Sequence, residues 1–535
     1  MNRTARPRVI GGDEVALFWA NHVATHTDQR LFIAGPGNAR ILGVRLGYHA
    51  TAKVTLKDVP DAADRQEGGP PVTRGMFVLA CLACIVGCAA TPSLDAATQP
   101  NPQRLEVEFH PLVTPKDAKL ALPRRFSVFF GMLGHSNGKV YVGTCYHVAR
   151  LVEFDPKTKQ VRVVAMMSSR AQEGGGPKLK NPTLLGDLGT GTFPMTRWQF
   201  AQDKIHTQLI EGADGRVYGG THTKIENADA TRKYPGGHWF AYDPKTGVTE
   251  DLGWARRHEG IITCCMDKKR NVLYGITWPT GYFVRCRPGE KSYYKRLNTL
   301  GLACSELDCS PRYFDVVKDG RVYVPDGATG DISVYDPKTG RFHRVTGMST
   351  FTSPDTPTGR YPGTLRATRK WRNWWMLGCK SPDGMHLFTT AQRAGHLMEI
   401  DAAKGQWGAV IDHGRTVPWA KRDWSGPWCG VMVFGADGLL YHTVGSQLLT
   451  FDRKTGRVLD WGRTVLKSHP DVTLNLGGGG ALAADGKLYC MAGYKRQKGL
   501  AVIDPAQLKG KTPQLLRVSP RRVTFPLAKS ATLKK

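Results

Sequence analysis

The chain is short of acid: 45 Asp and Glu stand against 74 Lys and Arg, a formal net charge of +29 over 535 residues. It also lacks any apolar run long enough to cross a bilayer as a helix, which takes about 20 residues. The longest run, Met76 to Gly87, has twelve. Beyond that run no close cysteine doublet stands at zinc-ligand spacing, so a zinc-built fold has little support. Low hydrophobicity is missing too: 41% of residues are hydrophobic, which excludes disorder over the body of the chain. No motif specifies a quinone cofactor.

What is present is a repeat. A Gly-marked hairpin is followed, 15 to 29 residues later, by an apolar strand that ends in an Asp-Pro-Lys-Thr-Gly-like turn. The first turns are Asn137-Gly138, Asp214-Gly215, Arg270-Asn271, Asp319-Gly320, Asp383-Gly384, Asp437-Gly438 and Asp485-Gly486. The second turns begin at Asp155, Asp243, Arg287, Asp336, Asp401, Asp452 and Asp504, a mean period of about 58 residues. A fixed period of this length signals a repeat architecture. Gly admits the positive φ of a tight hairpin, and Asp-Pro initiates the second turn. Two hairpins per unit give four strands, so the expected fold is all-β: a seven-bladed β-propeller of four-stranded antiparallel blades over residues 124–520.

The front end reads differently. Met76–Gly87 fits a signal-peptide apolar region, with Arg74 as its positive flank. Ile85-Val86-Gly87-Cys88 resembles the bacterial lipobox, which implies lipid on Cys88. The expected organisation is a lipoprotein signal peptide over 72–88, a tether over 89–123, the propeller, and a basic tail over 521–535. Residues 1–71 carry no repeat and are read as an extension outside the mature protein, with Val72 as the start; the alternative is a true N-terminal domain with an internal anchor. Residues 1–75 hold 10 Lys/Arg and 7 Asp/Glu, so +26 of the +29 lies beyond them. For an exported, cell-envelope lipoprotein this charge points to acidic polysaccharide or another polyanion, not nucleic acid. The alternative is a solvated basic surface. A monomer is expected. Nine cysteines remain after Cys88; Cys304 and Cys309 share a loop and could pair as a disulfide, or could join Cys286 and a His around zinc.

Consecutive hairpins alternate faces, so the Asp-Gly and Asp-Pro turns share one face and the remaining connections share the other, the loop face. Seven of the 16 His fall at loop-face positions: His147, His206, His222, His238, His258, His396 and His442. Trp278, Tyr282, Arg393 and Trp428 stand there as well. His titrates near neutrality and serves as acid or base. Trp and Tyr offer flat faces to sugar rings, and Arg pairs with carboxylate or sulfate. The bland alternative is that these His satisfy backbone groups in tight loops.

The repeat, together with His206-Thr207-Gln208, Gly220-Thr221-His222, Gly236-Gly237-His238-Trp239 and Gly281-Tyr282, resembles the streptogramin B lyase and gluconolactonase-like propellers. It also resembles the propeller polysaccharide lyases. The resemblance implies β-elimination on a uronate, with His and Tyr acting on the loop face and Arg or a divalent cation neutralising the carboxylate. On that basis His222 is expected as base and Tyr282 as acid, with His206, His258 and Arg285 as neutralisers. Trp278, His238, Arg393 and Trp428 would bind substrate. The metal is left open. Two other readings stand beside this one: a non-catalytic glycan- or protein-binding propeller, and a lactonase-like metallohydrolase using Asp326 and Glu259.

Overall fold

A computed structural model describes the strands at 22–26, 30–35 and 40–45. From residue 101 it describes 101–115, 122, 126, 131–145, 149–167, 202, 204–222, 236–256, 259–278, 281–290, 299–302, 312–325, 332–345, 375–391, 396–416, 429–494, 497–516, 523–526 and 530–532. The chain divides into two compact units, Met1–Leu94 and Asp95–Lys535. In the first, His22–His26, Arg30–Gly35 and Arg40–Arg45 form an antiparallel three-stranded meander.

The second unit is a β-propeller. Four-stranded antiparallel meanders follow one another along the chain. Their first strands begin at Met132, Ile210, Gly260, Asp315, Trp375, Cys429 and Leu476. Among the described residues seven buried apolar clusters hold them, each shared by two neighbouring meanders. Trp239 and Tyr218 of the second pack on Ile261 and Leu273 of the third; Leu387 and Met398 of the fifth pack on Tyr323 and Val334 of the fourth. Val140, Val142 and Phe154 of the first pack on Tyr489, Met491 and Leu500 of the last, so the series returns on itself. Among the described residues no helix is long and apolar enough to cross a membrane.

The repeat residues explain themselves in this setting. In three Asp-Gly-x-x-Tyr turns the Asp carboxylate accepts from the phenol four residues on: Asp214 from Tyr218 at 2.7 Å, Asp437 from Tyr441 at 2.6 Å and Asp485 from Tyr489 at 2.8 Å; in a fourth, at Asp319, Tyr323 donates instead to the Trp407 carbonyl at 3.1 Å. Those tyrosines are buried between meanders, where an unpaired hydroxyl would be costly. Gly215 and Gly438 hold φ of 74° and 77°. In the irregular third hairpin Asn271 takes the positive φ instead, at 52°. In the second turns Asp243, Asp336 and Asp452 accept from the backbone N–H two residues on and from the Thr hydroxyl three residues on.

The last meander does not complete itself. Leu476–Leu482, Leu488–Tyr494 and Gln497–Ile503 take their fourth strand from Arg104–Pro111, which pairs antiparallel with Gln497–Ile503, Gly499 opposite Pro111. Arg104–Pro111 lies within the stretch read from sequence as a tether. Leu105, Val107 and Leu112 are buried there, and Asn101 binds Asp460 through both its backbone N–H and its side-chain amide. The stretch read as a basic tail contributes strands as well: Val523–Pro526 pairs with Ala409–Arg415, and Ser530–Thr532 with Arg341–Val345. These add fifth strands at the outer edges, opposite the edges formed by the first strands.

Candidate functional site

The loop-face site is built where the second meander begins. His206 leads into its first strand and His222 follows its second. Antiparallel pairing brings the two ends together: Lys204 and His222 exchange backbone hydrogen bonds of 3.0 and 2.9 Å, and the Thr207 hydroxyl accepts from Gly220 N–H at 2.9 Å. The imidazole centroids are 5.9 Å apart at 84°. Trp278, the last residue of the third meander's second strand, brings its ring to 5.2 Å from His222. Its strand partner is Gly260. A Cβ at Gly260 would lie 2.0 Å from His222 Nδ1, so this close approach requires glycine.

Hydrogen bonding assigns a tautomer. His206 Nδ1 lies 3.0 Å from the Ile262 carbonyl oxygen, which can only accept, so Nδ1 carries the proton and Nε2 the lone pair. Both imidazoles are pushed well below the ordinary histidine pKa. Burial is the largest cause for each; the charges of Arg312 and Lys204 add to it at His206, and those of Lys204 and Arg312, with His206, at His222. The site therefore holds two neutral imidazoles beside two cations. A neutral imidazole can accept a proton, and the cations favour an anion in the same space. His222 is 3% exposed and His206 8%, and His222 Nδ1 has no hydrogen-bond partner.

The other expected residues disperse. Tyr282 opens the third strand of the third meander and turns its ring under Arg256, whose guanidinium carbon is 3.5 Å from the centroid. Thr277 joins this group: its hydroxyl accepts from Tyr282 N–H at 3.0 Å and donates to the buried Glu259 carboxylate. Arg285, near the far end of the same strand, lies beside Tyr335 of the fourth meander. His238 is engaged locally, its Nδ1 3.0 Å from Asp251 and its ring against Trp254. His258, Arg393, Trp428, Cys88, Cys304, Cys309 and Asp326 lie outside the described residues. Cys286 is a buried free thiol. Lys204 and Arg312 were not singled out from sequence. Lys204 stands two residues before His206, a strand spacing that shares a face; Arg312 arrives from the connection before the fourth meander, where no local signal marks it.

One group has the chemistry of metal ligands. His386, Glu399 and Asp401 place ligand atoms within 4.8 Å of one another, all buried. A cation already stands among them. Arg453, from the sixth meander's second turn, donates from Nε to Glu399 at 2.9 Å and lies with Nη2 2.9 Å from His386 Nδ1. His413 Nε2 is 2.5 Å from the other Glu399 oxygen. Burial alone would raise the Glu399 pKa, but hydrogen bonds from His386 and His413 and the Arg453 charge hold it well below the carboxylate range. The group reads as an ion cluster tying the fifth meander to the sixth.

No protein-family model matches the chain, and no curated protein matches it in sequence. Solved structures resemble it in architecture. A streptogramin B lyase is 10% identical with a TM-score of 0.45, covering 74% of this chain and 97% of that one. The virginiamycin B lyase of Staphylococcus aureus is 9% identical with a TM-score of 0.43, covering 74% and 100%. The WD40 repeats of RRP9 are 8% identical with a TM-score of 0.43, covering 75% and 99%. These are likenesses of architecture; the fold assignment rests on the strand order and the shared cores.

Proposed function

We propose that this propeller is a carbon–oxygen lyase acting by β-elimination on a uronate-containing acidic polysaccharide at the loop-face end of its channel. The observation that carries this reading is the pair of neutral imidazoles, His206 and His222, standing beside Lys204 and Arg312 and against Trp278. In the proposed step an imidazole takes the proton α to the uronate carboxylate. Arg312 and Lys204 stabilise the negative charge that develops on that carboxylate. The C–O bond at the β position breaks, its electrons leave with the glycosidic oxygen, and an acid protonates that oxygen. His206 suits the base role because Ile262 fixes its tautomer with the lone pair on Nε2. His222 is the alternative base; Tyr282, packed under Arg256, does not stand with the pair and is given no part in the step. As part of the same proposal the chain is exported and held at the cell envelope by lipid on Cys88.

A second reading is a non-catalytic binding propeller. The observation favouring it is burial: His222 is 3% exposed and seats Nδ1 against Gly260, as a packing residue does. Ultraviolet absorbance separates the two readings, because elimination creates a conjugated double bond. A rise on a uronate polymer that disappears in both His206→Ala and His222→Ala supports the lyase. Retained binding of the polymer with no absorbance change selects the scaffold.

A further inference from the structure

A cavity of about 630 Å³ is lined by the first strands of the second to fifth meanders and by the Asp383-Gly384 turn. Gln208 separates it from the histidine pair: its amide donates to the Arg312 carbonyl at 3.0 Å and accepts from the Thr263 hydroxyl at 2.8 Å, crossing between three meanders. This cavity, with Gln208 in its lining, is the cup. Its walls include Cys265, Met266, Tyr313 and Phe314, all buried in place. Cys265 is a free thiol.

The charges at the cup are not balanced. Each lining carboxylate is already engaged by a neighbour. Asp267 is paired with Arg270 at 2.6 Å and Asp315 with Lys380 at 3.0 Å, while Asp383 accepts from the Ser381 hydroxyl at 2.6 Å and from Met385 N–H at 2.9 Å and lies 3.4 Å from His386 Nε2. Lys268, Lys269 and Lys318 line the same cup, are exposed, and make no ion pair among the described residues. Three unpaired ammonium groups thus surround an apolar cavity of a size that takes small ligands, about 300–1,000 Å³.

We propose that this cup binds a small organic anion with an apolar body and an acidic headgroup, the body within the cavity and the headgroup at Lys268, Lys269 and Lys318. The site is independent of the loop-face histidines and of any activity there. It is tested by titrating the full chain with 8-anilinonaphthalene-1-sulfonate, a fluorescent probe with an aromatic body and one sulfonate. The expected result is one saturable site, weakened about tenfold in the K268A/K269A/K318A variant. The K157A/K245A/K338A variant removes the same charge from second turns outside the cup and should bind within about twofold of wild type. His206→Ala should bind the probe unchanged. The substituted lysines are exposed, so circular dichroism should match wild type. Absence of saturable binding, or equal weakening in the two triple variants, overturns the proposal.

Discussion

Leu105→Ala tests the closure of the propeller by its N-terminal strand. Leu105 is 1% exposed and packs with Val431, Leu448, Leu488 and Ala501, residues of the sixth and seventh meanders some 325 to 400 positions away. Truncating a buried Leu costs about 2–5 kcal/mol, from lost transfer energy and from the cavity left behind. Against a total stability of about 5–15 kcal/mol for a domain, that is a large fraction. Val113, just beyond the strand, is 56% exposed; Val113→Ala should change stability by less than about 0.5 kcal/mol. Urea unfolding followed by tryptophan fluorescence reads both. A clear fall in midpoint is expected for Leu105→Ala and none for Val113→Ala. Equal midpoints for the two variants would refute the closing role of residues 104–111 and return them to a tether.

Three further outcomes follow from local geometry. Tyr441→Phe leaves the ring in place but removes its hydrogen bond to the Asp437 carboxylate, and should cost about 1.5–3 kcal/mol in chemical denaturation; an unchanged midpoint would mean the Asp–Tyr turn bond contributes nothing. The folded-state pKa of Glu399 is depressed, so its contribution is complete above the unfolded carboxylate value of about 4.3 and is lost as pH falls through the folded value. The stability gap between wild type and Glu399→Gln should therefore narrow from pH 5 downward, and a gap constant to pH 3 would contradict this. Because His206 and His222 have lowered folded pKa values, they destabilise the fold as pH drops below about 6.5 and stay neutral at pH 6. Their imidazole proton shifts should not move between pH 8 and 6, whereas titration near 6.5 would show them solvated.

The turn grammar was readable because turn chemistry is local: Asp214, Gly215 and Tyr218 satisfy one another within five residues. The closing strand was not readable. Its pairing residues, Gly499 and Pro111, are separated by most of the chain, and the Leu105, Val107, Phe109 alternation resembles any short edge strand. The histidine pair was legible because entry and exit of one hairpin must meet. Tyr282 and Arg285 were assigned through the resemblance to propeller lyases; they belong to a third strand, where they lie beside Arg256 and Tyr335. His238 pairs with Asp251. Arg312 joins the site through a connection whose path no short-range pattern encodes.

The central claim is that the His206–His222 pair performs chemistry on an acidic sugar. Its most direct measurement is ultraviolet absorbance of a panel of uronate polymers incubated with the full chain, with His206→Ala and His222→Ala as matched controls of native circular dichroism. The account predicts a steady rise on at least one polymer for wild type and none for either variant. A flat trace for wild type on every polymer, or a rise that persists in both variants, would contradict it.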